Sequence, residues 1–249
     1  MIRVVEVRED KQVLNKALIF GGLGLAWILS NPHAIWAEAK PQAETEPQVG
    51  TEPAETEPQA EIPQNFAEWC ARRESLPAAA KRTVSVILQQ VGTYNCDRAS
   101  ETLSTITHLD LSTSQLIDLT PLQSLESLNS LRLINNQISD LSPLAPLKKL
   151  TVLDLSYNQI SNVAPLKSLE NLRALNLSYN NISDVEPLNS LSDLNELNLN
   201  NNNITSIGSL KSLESLTYLF LRGNPIADRT CPINPKYICQ FQSETSQET

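Results

Sequence analysis

Apolar and polar positions in the middle of the chain repeat at one constant spacing. The stretch LTVLDLSYNQISNVAPLKSLEN begins at Leu150, and the stretch that follows it directly, LRALNLSYNNISDVEPLNSLSD, keeps the same leucines, one asparagine and one proline. The leucine pair occurs six times, at Leu109/Leu111, Leu131/Leu133, Leu153/Leu155, Leu175/Leu177, Leu197/Leu199 and Leu219/Leu221. Six copies in register predict a repeat architecture.

Two periodicities inside each repeat predict its elements. In LDLS, Leu153 and Leu155 alternate with other residues, which predicts one short strand per repeat. After Ile160 the apolar residues fall at every third position, the spacing of a 3₁₀ turn, and Pro165 suits the start of such a turn. One coil alone leaves both flanks open to water, so the coils must stack. The sequence predicts an α/β solenoid, a right-handed superhelix with parallel strands on its concave side and 3₁₀ turns on its convex side.

A column of asparagines interrupts the apolar interior. It starts with Ser114 and continues as Asn136, Asn158, Asn180, Asn202 and Asn224. A buried amide needs partners for its donors and its acceptor, and a turning backbone offers N–H and C=O groups that need the same. We predict a structural asparagine ladder that closes the turns. Asp118, Asp140, Asn162 and Asp184 recur with the same period and are predicted to cap the convex turns, with calcium binding as the alternative.

The consensus LxxLxLxxNxIxxLxPLxxLxx resembles the leucine-rich repeat family, and within it the 22-residue class of bacterial internalin-like proteins. The resemblance covers about half the chain, from Leu103 to Ile226. It implies a protein that binds protein ligands. The sequence shows neither the immunoglobulin-like region that follows the repeats in internalins nor an LPxTG-type wall-sorting signal, so we do not expect a role in host-cell invasion.

Both ends of the stack need a cover. Residues 64–102 are predicted as a helical N-terminal cap, because Val84, Ile87, Leu88 and Val91 have helical spacing after Pro77. The six repeats are assigned to 103–226, and 227–249 to a C-terminal cap with a disordered tail. Four cysteines permit three full pairings. Their placement favours one disulfide in each cap, with free thiols or a metal site as alternatives: the pairs are Cys70 with Cys96 and Cys231 with Cys239.

The N-terminal part of the chain indicates export. Basic residues precede an apolar run over 17–29, and Ala37-Glu38-Ala39 has the form of a cleavage site, so 1–39 is predicted as a signal peptide or signal anchor, with a buried helix of the fold as the alternative. Residues 40–63 are predicted as a disordered, acidic, Pro/Glu-rich linker, or an acidic ligand tail. The net charge of the chain is -9. Most of this negative charge lies in the linker, so the rest of the chain is close to neutral and has no basic stripe for nucleic acid. Membrane contact is expected only through the N-terminal segment.

No catalytic residue set is visible. His33 lies in the leader and His108 on the outward strand face, and no Gly-rich phosphate loop, HExxH or EF-hand pattern occurs. We therefore expect no enzyme activity, no cofactor and no metal. The concave face varies between repeats, and aromatic residues and arginine are enriched at binding hot spots. The predicted partner-binding residues are Tyr218, Phe220, Arg222, Tyr157, Tyr179, Arg132, Ile134 and Glu196.

The predicted function is a monomeric protein-binding module, periplasmic or at the cell surface. Three alternatives stay open at this point. One is a phosphatase-type regulatory subunit, since eukaryotic regulators have similar repeats, and another is a structural envelope protein that binds glycan or nothing specific. Under the third, Tyr218 and Phe220 only pack under the C-terminal cap, and the Ser/Asn-rich middle of the concave face is inert.

Overall fold

The strands of the repeats form one parallel sheet in chain order. A computed structural model describes residues 62–242. Each central leucine pairs with its equivalent in the next repeat, as Leu153 does with Leu175. The strands are β1 (His108–Asp110), β2 (Ser130–Arg132), β3 (Val152–Asp154), β4 (Ala174–Asn176), β5 (Glu196–Asn198), β6 (Tyr218–Phe220) and β7 (Cys239–Gln240). The predicted α/β solenoid with one short strand per coil is confirmed.

The convex side consists of short 3₁₀ helices. Those of the repeats are Thr120–Leu122, Ser142–Leu144, Ala164–Ser168, Glu186–Ser190 and Gly208–Ser212. Two residues before each of the first four 3₁₀ helices, a side-chain oxygen accepts a hydrogen bond from the backbone N–H of the first residue of that helix. The capping side chains are Asp118, Asp140, Asn162 and Asp184, at 2.8, 2.9, 2.9 and 2.9 Å. The convex caps that the sequence predicts are therefore present in these four coils.

The interior is an unbroken aliphatic column. In the coil that contains β3, the inward side chains are Leu150, Leu153, Leu155, Ile160, Val163, Leu166 and Leu169, each at most 1% exposed. Full burial of a side chain of this size stabilises a fold by about 1.5 to 3 kcal/mol. Neighbouring coils supply this cover for one another, so the stack and not the single coil is the stable unit.

The asparagine column lies inside the turns and joins consecutive coils. The Nδ2 group of Asn158 donates to the carbonyls of Leu133 in the preceding coil and Leu155 in its own coil, at 2.9 and 3.0 Å. Its Oδ1 accepts the backbone N–H of Ile138 at 3.1 Å. In the first coil Ser114 takes this position, and its N–H donates to Oδ1 of Asn136. A full amide is not needed there, because no earlier coil offers a carbonyl.

Three α-helices precede the repeats: α1 (Phe66–Ala71), α2 (Ala78–Val91) and α3 (Cys96–Thr105), with a 3₁₀ turn at Arg73–Ser75. The helix α3 continues to Thr105, so the cap extends past the expected boundary at 102. At the other boundary, Pro63 is buried and its carbonyl accepts a hydrogen bond from Gln123. The last residues assigned to the linker are therefore part of the fold, since this bond and burial fix Pro63.

The helix α2 covers the first coil. It starts after Pro77 and ends at Gly92, whose φ of 72° is the left-handed conformation that glycine accepts readily. Val84, Ile87 and Leu88 are fully buried, as their helical spacing predicts. The Oγ1 group of Thr83 donates to the carbonyl of Asp118 at 2.6 Å, which joins the helix to the start of the first convex turn.

The C-terminal end has a short closure. A 3₁₀ turn at Lys236–Ile238 leads into β7, which pairs with β6 through Leu219 and Cys239, at a shorter offset than the repeat period. The sequence predicts six strands, and β7 is a seventh that it misses. Disulfides join Cys70 to Cys96 and Cys231 to Cys239, with Cα–Cα distances of 5.5 and 5.7 Å.

Several predictions fall on residues that the structure does not describe. The leader over 1–39, nearly all of the linker over 40–63 and the end of the C-terminal tail lie outside 62–242. In the part that is described, no helix combines the length and the apolar character needed to cross a bilayer.

Candidate binding face

The middle of the concave face is a hydrogen-bonded polar network. Asp154 accepts the N–H and the hydroxyl of Ser156 with Oδ1, at 3.0 and 2.7 Å, and its Oδ2 accepts from Asn176 at 3.1 Å. Asn176 in turn accepts the N–H and hydroxyl of Ser178 at 3.1 and 2.8 Å. Because these groups already bond one another, this surface is ordered before any ligand arrives.

The same motif at the first strand holds a carboxylate in its charged form. Oδ1 of Asp110 accepts the hydroxyl of Ser112 at 2.6 Å and its N–H at 3.0 Å, and Arg132 lies 4.0 Å from Oδ2. The pKa of Asp110 is lowered, most of all by the hydrogen bond from the Ser112 hydroxyl and further by the Ser112 N–H and the Arg132 charge. Burial acts in the opposite direction. Arg132 is therefore partnered with a carboxylate of its own face.

Two exposed tyrosines lie side by side on the rim of this face, just after β3 and β4. The rings of Tyr157 and Tyr179 are stacked, with centroids 4.2 Å apart and an interplanar angle of 9°. They are 50% and 45% exposed, so their contact with each other leaves a large aromatic surface in water. The adjacent Tyr179 hydroxyl raises the pKa of Tyr157 through a hydrogen bond, so the Tyr157 phenol is neutral at physiological pH. We call these two residues the tyrosine pair.

The backbone beneath the tyrosine pair is left-handed. Both residues have a φ of 57°, and every coil has a positive φ at this position. The column is Thr113, Asn135, Tyr157, Tyr179, Asn201 and Gly223. Asparagine and glycine accept this conformation most readily, and for other residues it costs about 1 to 3 kcal/mol. Two coils thus carry a bulky aromatic residue where their neighbours carry a residue suited to the turn.

A second aromatic group lies at the last repeat. The rings of Tyr218 and Phe220 are 6.2 Å apart with an interplanar angle of 7°. Phe220 is half-buried beside Gln240 of β7, but Tyr218 is 53% exposed. The C-terminal cap therefore covers Phe220 in part and leaves Tyr218 open. Arg222 is exposed, and its backbone N–H donates to Oδ1 of Asn200 at 2.7 Å.

The predicted binding residues do not form one compact patch. Tyr218 is the first residue of its strand, whereas each member of the tyrosine pair follows the last residue of its strand by three positions. The tyrosine pair therefore lies beyond the C-terminal ends of its strands, whereas Tyr218 lies at the N-terminal end of its strand. Ile134 is half-buried two coils away from Tyr179, and Glu196 lies directly beside Tyr218 in the sheet register.

The repeat pattern does not point to Tyr237, an exposed aromatic residue near the last repeat. Tyr237, in the C-terminal cap, is 80% exposed and lines a cavity together with Tyr218 and Glu214. It lies outside the period of the repeats, so no column points to it. The only available signal was an aromatic residue between two cap cysteines.

The described residues show no arrangement typical of catalysis. His108 is exposed, and its Nδ1 contacts the hydroxyl of Thr107 at 2.7 Å. Within 62–242 no group of three or more His, Cys, Asp or Glu side chains is placed to hold a metal ion. What this face presents is ordered polar surface with two exposed aromatic groups, which is the composition of a recognition surface.

Family models of leucine-rich repeats match the middle of the chain, one of two repeat copies over residues 148–190 and one over 171–226. The coils are leucine-rich repeats. Among solved structures, the chain is similar to an internalin (inlF) from Listeria monocytogenes, with 41% identity, a TM-score of 0.49, and coverage of 52% of this chain and 39% of that one. It is also similar to an internalin C2 (inlC2) from the same organism, with 27% identity, a TM-score of 0.46, and coverage of 62% and 88%.

The leucine-rich repeat chain thus spans 39% of the length of the first of these internalins. A comparison with curated proteins gives no match. The leucine-rich repeats that the consensus indicates are confirmed by the family models.

Proposed function

We propose that the protein is a non-enzymatic binding module that recognises a protein ligand through the concave side of its leucine-rich repeats. The tyrosine pair carries this proposal. Tyr157 and Tyr179 are half-exposed, stacked on each other, and placed on backbone that suits asparagine or glycine. Leucine-rich repeats are a fold whose curved surface serves for binding, which agrees with this assignment.

The stacking contact between these two rings does not by itself offset the strain of their backbone. A left-handed φ costs about 1 to 3 kcal/mol at each tyrosine, while a stacked aromatic pair returns only about 0.5 to 1.5 kcal/mol. Asn135 and Asn201 show that the flanking coils close in the same way without an aromatic residue. Strained and exposed aromatic residues together are typical of a contact surface.

The extent of the face favours a macromolecular ligand. Arg132 lies on β2 and Tyr218 on β6, four strand spacings apart. At about 4.8 Å per spacing, the candidate residues extend over about 19 Å across the sheet. A ligand that touches both ends must be an extended or macromolecular one, because a small molecule would reach only one group.

We further propose that the protein is exported and acts in the periplasm or at the cell surface. The two disulfides support this location, because such bonds persist in oxidising compartments. A cytosolic phosphatase regulator is the weaker alternative for the same reason.

Affinity capture tests the binding proposal. The full chain is immobilised and exposed to proteins of its native cell envelope, and retained proteins are identified by mass spectrometry. The test variant is Tyr157→Asn/Tyr179→Asn, which keeps residues that accept the left-handed turn. The matched control is Tyr94→Asn, since Tyr94 is 66% exposed but lies between α2 and α3.

We expect the wild type and the control to retain a shared partner and the double variant to lose it, by about tenfold or more in apparent affinity, as hot-spot residues do. Far-UV circular dichroism should show all three chains folded. Equal retention of the same proteins by all three would refute the role of the tyrosine pair.

A further inference from the structure

A cavity opens between the last repeat and the C-terminal cap, away from the tyrosine pair. Its volume is about 370 Å³, near the lower end of the range of about 300 to 1,000 Å³ for small-ligand sites. Leu216 and Ile238 line it and are only 2% and 4% exposed. The lining residues Glu214, Tyr218 and Tyr237 are all exposed. The cavity therefore has a rim of two phenols, one carboxylate and the exposed Pro235, above two apolar residues that are themselves almost fully buried.

One carboxylate lines this cavity, and no basic side chain does. Glu214 lines the cavity, and Glu196 lies beside Tyr218 in the sheet register. Within residues 62–242 neither carboxylate is a member of an ion pair. None of the lining residues is basic, and Lys236 precedes Tyr237 in the chain without lining the cavity. The cavity itself therefore offers one carboxylate, Glu214, as a counter-charge for a cation.

A basic side chain has the chemistry that matches these walls. Lysine and arginine carry an aliphatic stem below a charged head, and the stem packs on apolar surface while the head stays at the polar rim. Aromatic faces attract such a cation, and clusters of aromatic rings are a common way to bind ammonium groups. A carboxylate next to them supplies the counter-charge. An acidic or a purely apolar group would leave Glu214 unpaired.

We propose that this cavity receives a lysine or arginine side chain of the protein ligand. The stem lies over the exposed Pro235 and the tyrosine rings, and the charged head lies among Tyr218, Tyr237 and Glu214. This inference rests on the proposed function for the statement that the partner is a protein. It adds a second anchoring point at the N-terminal end of β6 and states the chemistry of the group that fits it.

The test uses small probes on the full chain and needs no knowledge of the ligand. N-acetyl-lysine amide is titrated while the ring signals of ¹³C-labelled tyrosines are followed by NMR. N-acetyl-norleucine amide, which has an aliphatic stem and no charge, is the matched neutral probe. We expect the lysine probe to shift the Tyr218 and Tyr237 signals saturably, and the norleucine probe to bind more weakly by about fivefold or more.

Two variants locate the site. Glu214→Gln removes the counter-charge and Tyr237→Leu removes one ring, and both residues are exposed, so neither change disturbs packing. Each should weaken the lysine probe by about fivefold. Tyr94→Leu is the control that removes a distant exposed tyrosine and should leave the binding unchanged.

Equal binding of the lysine and norleucine probes, or no saturable shift at all, would overturn the proposal on the wild-type chain alone. An unchanged affinity in Glu214→Gln would do the same. The double variant Tyr157→Asn/Tyr179→Asn should still bind the lysine probe. The protein-binding proposal and the cation proposal can therefore fail separately.

Discussion

The two ends of the repeat stack are closed in different ways. At the N-terminal end three helices cover the first coil, and they bury large side chains that include Trp69 and Ile87. At the C-terminal end the cover is one 3₁₀ turn and the short strand β7. Both ends have a disulfide, but Cys70 and Cys96 are 26 residues apart and Cys231 and Cys239 only 8.

This difference shows that an end coil can be closed by a few residues, and that a small cap leaves side chains of the last coil exposed to solvent. The first coil is sealed, and a serine suffices at its ladder position because α2 takes the place of an earlier coil. The last coil keeps its ladder residue Asn224 half-exposed and Tyr218 open to water. The thin closure thus leaves a cavity and an aromatic rim at this end of the stack.

Truncation of a buried side chain at each end gives the largest expected effect. Ile87→Ala should destabilise the protein by about 4 kcal/mol and Ile238→Ala by about 2 kcal/mol, within the usual range for such changes. The reason is that Ile87 is fully buried within a larger packed cap, while Ile238 lies at a thin edge. Urea unfolding followed by circular dichroism measures both. Equal losses would show that the two closures contribute alike.

Removal of the disulfides sharpens the same comparison. Chain-entropy estimates give about 3.5 kcal/mol for the loop of 26 residues and about 2.5 kcal/mol for the loop of 8. The paired variants are Cys70→Ala/Cys96→Ala and Cys231→Ala/Cys239→Ala, compared by their thermal unfolding midpoints. A larger loss for the C-terminal pair would mean that this bridge holds β7 in place and does more than restrict the unfolded chain.

Substitutions in the asparagine ladder should cost less stability, and the cost should be smaller at the C-terminal end of the stack than in its middle. Asn158→Ala leaves buried backbone groups without partners and should cost about 1 to 3 kcal/mol. Asn224→Ala should cost about 1 kcal/mol or less, because water reaches the half-exposed last rung. Denaturant midpoints of the two variants test this. An unchanged midpoint for Asn158→Ala would contradict the structural role of the ladder.

The repeat region was predictable because its period fixes which residues are neighbours. Leu153 faces inward as its alternation predicts, and it pairs with Leu175 at the expected offset. The strand β7 was not predictable, since its offset from β6 is shorter than the period and its residues do not match the consensus. The turn asparagines and the convex caps were found from the polar residues that break an apolar pattern.

The candidate site was only partly predictable. The columns show which side chains share the concave face, but they do not show that Tyr157 stands on left-handed backbone at the rim or that Asp154 already bonds Asn176. Both depend on the shape of the turn after each strand. The cavity beside Tyr237 depends on how the cap folds back, which has no periodic signal.

The constant register of β1 to β6 has a consequence for the length of the molecule. Because Leu153 meets Leu175 just as Leu175 meets Leu197, removal or duplication of one complete repeat joins surfaces that already fit each other. Loss of a single residue within a strand would instead turn its leucines toward solvent. Whole coils are therefore the natural unit of insertion and deletion, and the reach of the curved face can change by whole coils without a new interior.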